Sequence, residues 1–483
     1  MVASKEFDNT YKAAEKIAPQ AVEPFDKEWG VGISGNTPEP SPFPRINRIL
    51  KNTAKTTNGF VPPERALLVT EAIKKNPGAS QVTKCAEGMA NLLRNTPIYI
   101  YDDELIVGGL GCEKKGAPVF PEFGLNWVVD EMRDGLMDYS PERTHDYFSF
   151  TKEAYEKLES IRDFWNGKTI EDYANSLLTD DELKGSHAGK GVFFADAYMF
   201  CGAGHLGLSY ERLFKIGYKG IRQMIVDALK DVDKTSPDGL KKYTFLKAEL
   251  LVNEAATDHI KRYATLAWEK AKSTSDETRK KELIQMHENL LWISENPPRT
   301  FWEAIQLVHI ANCMIHMECN GHSISYGRFD QYMYPLFKKD IKEGTATREF
   351  CQELIENFFI KIWDLNKLRS HVLIKTFGNG GVGGQCLTLG GLDRDGKDAT
   401  NELTFMGIDA HTHIRIPTPW LAVRMHAGTP WELKVKVANA IRLGTGEPKI
   451  FNDDVAIPSM LSSYTDIKDA RDYQVVGCVE PDA

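Results

Sequence analysis

The sequence predicts an α/β protein, and three observations carry that expectation. Apolar stretches of helical length, Phe301 to Met317 and Phe350 to Leu365, alternate with short runs such as Cys386-Leu-Thr-Leu-Gly390, Trp420-Leu-Ala-Val-Arg424 and Tyr473-Gln-Val-Val-Gly477. That alternation suits buried strands linked by helices. Two helix starts frame the second half: Thr300 with Glu303, and Thr429-Pro430 with Glu432, each placing a carboxylate three residues after a capping hydroxyl. With 483 residues, 42% of them hydrophobic, and no repeat or evident linker, the chain reads as one large body.

In chain order, residues 1–60 read as an extended arm, because Thr37-Pro-Glu-Pro-Ser-Pro-Phe-Pro44 suits neither helix nor ladder. A helical pattern begins after Pro62-Pro63-Glu64-Arg65. Pro97 to Tyr101 and Glu104 to Gly108 read as two short strands around Asp102-Asp103. Residues 140–300 are expected to be mainly helical, with charged faces such as Lys241 to Lys280.

The formal charge of −9 offers no basic field for phosphate backbones or anionic lipid, which argues against nucleic-acid binding. No stretch approaches the roughly 20 apolar residues of a membrane span, and Met1 to Lys16 lacks a signal-peptide core. Eight scattered cysteines without a secretory signal read as free thiols in a reducing compartment, so the expected location is cytoplasmic.

Several constellations have a plain structural reading. His309 and Cys313, His316 and Cys319, and His411-Thr-His413, whose rings would share one side of a strand, lack the paired spacing that zinc requires. No metal site is expected. The run Gly378-Asn-Gly-Gly-Val-Gly-Gly384 has neither a GKS/T ending nor GxGxxG spacing, and reads as a sharp bend or close approach.

The most informative stretch is Tyr473-Gln-Val-Val-Gly477-Cys478-Val479-Glu480-Pro481. In an extended segment Cys478 and Glu480, two residues apart, share a face and can serve one cavity. A carboxylate disfavours thiolate, so the pair is ill suited to nucleophilic catalysis. It suits a cysteine that carries hydrogen atoms and a carboxylate that moves protons.

Gly477-Cys-Val-Glu-Pro481 resembles the cysteine loop of glycyl radical enzymes, the pyruvate formate-lyase-like superfamily. Other segments agree in order: Glu104 to Gly108, Glu318-Cys-Asn-Gly-His-Ser-Ile-Ser-Tyr-Gly-Arg328-Phe-Asp-Gln331, Tyr334-Pro335, Lys339-Asp-Ile341, Leu387 to Asp393, and Asp398 to Leu403. The resemblance runs from about residue 60 to 483. It implies a ten-stranded α/β barrel surrounded by helices, of which residues 61–483 supply the first half to two-thirds.

The resemblance further implies that Cys478 is the thiyl residue and Glu480 the acid/base. It implies no bound cofactor but a protein-based glycyl radical, installed by a radical-SAM activating enzyme, that oxidises the cysteine. The Arg-Val-x-Gly-Tyr type of motif that carries that glycine is nowhere in the sequence. The chain is therefore expected to be a fragment, inactive by itself, of a homodimer that acts on a small molecule. Valine after Cys478, where pyruvate formate-lyase has a second cysteine, argues against acyl transfer to coenzyme A.

Asp196, Tyr198, Phe200 and His205 lie in a segment resembling a pocket wall, and Trp363, His371 and Trp420 are further pocket candidates. Aromatic side chains there lean the expectation toward a radical lyase decarboxylating an arylacetate-like acid. Dehydration, C–N or C–S elimination on a diol, choline or sulfonate, X-succinate synthesis, and a catalytically silent barrel subunit are the alternatives.

Overall fold

The computed structural model describes residues 41–56, 58–111, 114–137, 140, 143, 147–186, 201–202, 204–321, 324–377, 384–463 and 465–483. Helices dominate. Capping residues explain where many begin: Ser80 for helix Gln81–Asn95, Ser236 for Pro237–Ser273, Asp276 for Glu277–Ile293, Thr300 for Phe301–Glu318, Thr347 for Arg348–Trp363. In each, the cap oxygen accepts a backbone N–H that the first turn leaves unpaired. Asn401 and Thr404 form a reciprocal capping box on helix Glu402–Ile414.

Helix Phe301–Glu318 is the central element. Ile305 and Val308 pack into one hydrophobic cluster, and Leu307 and Ile310 into a second. Most of its residues are buried, polar ones such as Gln306, His309 and Asn312 included, which suits a helix enclosed by others. The first cluster joins it to helices Phe329–Glu343, Arg348–Trp363 and Glu402–Ile414; the second to Gln81–Asn95, Pro237–Ser273 and Glu277–Ile293.

Strands β1 (Gly59–Phe60) and β2 (Phe148–Ser149) pair parallel, with Phe148 buried in a core cluster. The main sheet is β3 (Cys386–Gly390), β4 (Trp420–Met425) and β5 (Lys449–Asn452), all parallel, with Cys386 opposite Trp420 and Ala422 opposite Lys449. Helices Glu402–Ile414 and Trp431–Arg442 supply the crossovers that parallel strands need. Single parallel bridges extend the sheet, Thr388 to Arg328 and Ser325 to Gly207. The chain ends in an antiparallel hairpin of β6 (Gln474–Val476) and β7 (Glu480–Asp482).

Side-chain alternation sorts the two faces of this sheet. Leu387, Leu389, Leu421 and Val423 enter the helical core, whereas Cys386, Ala422 and Trp420 pack with Tyr473 and Val475 beneath the hairpin. A ten-stranded barrel is not seen among the described residues: closure needs partners on both edges, and β5 is an edge strand in its sheet.

Other expectations are corrected in detail. Residues 97–108 form no strand pair, because side chains rather than a ladder take up their backbone groups. Asn357 Oδ1 accepts from Leu105 N and Ile106 N, and Gln306 Oε1 from Val107 N. His411 and His413 sit on a helix, where residues two apart diverge, so His411 reaches Thr445 and His413 reaches Glu356. Thr429 does not cap helix Trp431–Arg442; its hydroxyl accepts from His426 N. Within the arm, Pro44–Lys55 is a helix with Pro44 in its first turn, where a missing N–H costs nothing. The described residues contain no helix long and apolar enough to cross a membrane.

Candidate active site

β6 leads into the turn Gly477 to Val479, and β7 begins at Glu480. Cys478 and Glu480 thus do not lie along one extended segment. The hairpin instead folds the Glu480 carboxylate back over Gly477, near enough for its charge to act on the Cys478 thiol. Gly477 has φ +69°, and a Cβ there would lie 2.6 Å from His205 Cδ2 and closer still to Glu480 Oε2. Glycine meets both demands, left-handed backbone and absent side chain.

The carboxylate accepts the Val479 N–H at 2.8 Å through Oε2, and its Oε1 lies 3.9 Å from His205 Nε2. His205 belongs to the segment whose next residues bridge to Ser325, so the extended sheet delivers it to the hairpin. Partial burial, and then the Glu480 charge, push the Cys478 thiol up, with Lys449 opposing. The sulfur is held as S–H, the form that can give up a hydrogen atom.

Below the turn, Cys386 donates to the Gly477 carbonyl at 2.9 Å. Burial drives the Cys386 thiol up to about 12. Trp420, opposite Cys386 in the sheet, carries Lys449 Nζ 3.5 Å above its ring. Glu447 accepts Leu421 N at 3.0 Å, and burial raises its carboxyl to about 7.

His205 therefore stands beside Glu480 and Gly477 in the turn that carries Cys478, with Trp420 in the layer beneath. Trp363 and His371 make their contacts elsewhere: Lys115 Nζ lies 4.2 Å over the Trp363 ring, and His371 Nδ1 is 2.8 Å from Glu131, which also pairs with Arg143. Asp196, Tyr198, Phe200 and all of the glycine run except Gly384 lie outside the described residues.

His309 and Cys313 are core groups 3.5 Å apart; burial lowers the imidazole to about 3 and raises the thiol to about 12. His316 is buried and faces Asn312 O. Among the described residues no group of three or more His, Cys, Asp or Glu is arranged to hold a metal ion.

Sequence reasoning missed the groups that hold the hairpin. Ser325 Oγ donates to Val475 O at 2.7 Å, Thr388 Oγ1 accepts from Val475 N at 2.9 Å, and Arg328 pairs with Asp472 at 2.7 Å. The available signal was Thr388, a lone hydroxyl inside an otherwise apolar strand.

The family described as pyruvate formate lyase-like matches residues 36–483. The chain is 41% identical over 462 residues to (2S)-3-sulfopropanediol dehydratase of Klebsiella oxytoca, covering 95% of this chain and 55% of that protein. The glycerol-bound B12-independent glycerol dehydratase of Clostridium butyricum superposes with a TM-score of 0.85 at 38% identity, over 93% of this chain and 55% of that one. A structure concerned with 1,2-propanediol dehydration in Roseburia inulinivorans gives 0.85 at 32%, over 92% and 55%. The glycyl radical subunit of a Clostridioides difficile 4-hydroxyphenylacetate decarboxylase is 29% identical over 352 residues, 69% of this chain and 38% of that protein. The chain spans about half the length of the dehydratases it matches. With the match running through the cysteine hairpin itself, the chain belongs to the pyruvate formate lyase-like glycyl radical enzymes, a family of lyases and dehydratases.

Proposed function

We propose that this chain is the N-terminal part of a glycyl radical dehydratase or C–X eliminase acting on a small diol-type substrate, with or without a sulfonate. The observation that carries the reading is one turn that bears Cys478 and folds the Glu480 carboxylate back over Gly477 beside His205, close enough for its charge to act on the thiol. The relatives named above support dehydration over the arylacetate decarboxylation toward which the sequence leaned. Tyr198 and Phe200, the aromatics behind that lean, fall outside the described residues, and the decarboxylase is the more distant relative.

A glycyl radical would supply the oxidising equivalent that removes the hydrogen atom from the Cys478 thiol. The protein residues fit that role, because the thiol is held protonated and its loop is fixed from below. Cys478 then takes a hydrogen atom from the substrate carbon bearing a hydroxyl. Glu480, with His205 at 3.9 Å, moves the proton that lets the neighbouring hydroxyl depart as water. Cys478, carrying the abstracted hydrogen, returns it to the product, so the net change is loss of water.

The glycine, the remaining barrel strands, a radical-SAM activating partner, a homodimeric assembly and a cytoplasmic location belong to this reading. The run of parallel segments from Gly207 through Ser325, β3 and β4 to β5 supports the barrel.

The test is anaerobic activation of the full-length protein, followed by assay against diols, sulfopropanediol, isethionate and arylacetates. Cys478→Ser should keep the glycyl radical signal in electron paramagnetic resonance and abolish turnover. Turnover of arylacetates alone would replace the dehydratase reading, and activity in Cys478→Ser would remove the thiol from the mechanism.

A further inference from the structure

β3 and β6 cross in opposite directions, and side chains rather than a backbone ladder join them. Cys386 contacts Gly477 and Thr388 contacts Val475, so two residues forward on β3 correspond to two back along the hairpin. Cys386 and Thr388 share the face of β3 turned away from the helical core. Ser325, from the neighbouring parallel segment, holds the Val475 carbonyl from its other side. All three side chains are buried, with exposures of 1%, 0% and 0%.

We propose that Cys386, supported by Thr388 and Ser325, is a positioning residue that aims the Cys478 thiol. The inference rests on the reading of Cys478 as the hydrogen-atom carrier. The Gly477 carbonyl and the Cys478 nitrogen belong to one planar peptide unit. A donor that fixes this carbonyl therefore fixes the plane from which the Cys478 Cα–Cβ bond departs. Val475, held at both its N–H and its C=O, anchors the approach to the turn from β6. On the other side of the turn, Glu480 holds Val479 N. Gly477, with its left-handed backbone, cannot resist rotation by side-chain packing, so the Cys386 S–H contact supplies the restraint there. High burial keeps that sulfur a donor throughout the working pH range.

A merely space-filling role makes the opposite prediction. A buried cysteine often acts as a small hydrophobe. Alanine would then be tolerated better than serine, which buries a hydroxyl in its place. A positioning donor reverses the order, because serine can still donate to the Gly477 carbonyl.

The experiment compares Cys386→Ala, Cys386→Ser, Thr388→Val and Cys478→Ser in the activated full-length enzyme. It reads radical content by spin counting, kcat and KM separately, and the thermal midpoint. Misaimed reacting groups commonly cost one to two orders of magnitude, so Cys386→Ala should lose about tenfold or more in kcat. KM, radical content and thermal midpoint should stay near wild type. Cys386→Ser should recover most of the rate, and Thr388→Val should show a smaller kcat loss of the same kind. Wild-type kcat in Cys386→Ala overturns the proposal, as does a serine variant worse than alanine, or a rate loss matched by lost radical or lost stability. Turnover in Cys478→Ser would instead overturn the underlying reading, whatever the Cys386 variants do.

Discussion

Arg424 grips Asp453 through two hydrogen bonds of 2.9 Å, and neither side chain has any exposure. The same guanidinium donates to the carbonyls of Arg471 and Tyr473 and lies 3.8 Å from the centre of the Tyr473 ring, while Tyr473 Oη donates to Asp453. One planar cation thus ties β4 to the residues entering β6, and the hairpin inherits its position from that knot.

Removing one partner strands a buried charge, which typically costs about 3–5 kcal/mol. Asp453→Asn and Arg424→Leu should both lower the thermal midpoint by several degrees. Arg424→Lys should not restore it, because an ammonium lacks the fork that reaches four acceptors. A midpoint unchanged in Asp453→Asn would show that the knot contributes nothing.

Gly477→Ala adds a methyl group where His205 and Glu480 already stand, on backbone that L residues avoid at a cost of about 1–2 kcal/mol. The damage is local to a turn. Turnover of the activated enzyme should fall at least about tenfold while the midpoint moves little. An alanine variant with native turnover would mean that the turn can relax without consequence.

Before activation, Cys478 should react with iodoacetamide slowly up to and beyond pH 8.5, roughly the ordinary thiol value. Burial and then the Glu480 charge disfavour its thiolate. Glu480→Gln removes that charge, so its alkylation curve should move to lower pH. Peptide mapping is needed, because Cys85 is exposed and will react as well. A Glu480→Gln curve that coincides with wild type would deny the coupling.

Glu447 makes a pH prediction with a definite sign. Burial raises its carboxyl to about 7, so the native state binds the proton more tightly than the unfolded chain does. Its favourable contribution is full below about pH 4 and is lost as pH rises through about 7. Glu447→Gln, which can still accept Leu421 N, should be no more stable than wild type at pH 4. By pH 8 it should be more stable, by up to about 3 kcal/mol on the size of the shift. Equal midpoints at both pH values would refute the shift.

The sequence by itself determined the helical stretches Phe301 to Met317 and Phe350 to Leu365, the strands at Cys386 and Trp420, and, through Gly477 to Pro481 and its companions, the family. Those features are written in local patterns: capping oxygens, apolar runs, and a short motif whose neighbours recur in order. It also pointed to His205 through the segment that holds it. Tertiary structure decided the rest. Pro97 to Gly108 looked like strands and became irregular chain, because Asn357 and Gln306, far along the sequence, take up its backbone N–H groups. Glu480 folds back over Gly477 through a hairpin rather than sharing a strand face with Cys478. The supports of that hairpin, Ser325, Cys386, Thr388, Arg424 and Asp453, are polar or sulfur groups scattered over some 130 residues whose roles exist only once parallel strands stack them under β6. A sequence shows which groups a chain can offer; which donor finds which acceptor depends on long-range register, and local patterns do not encode that.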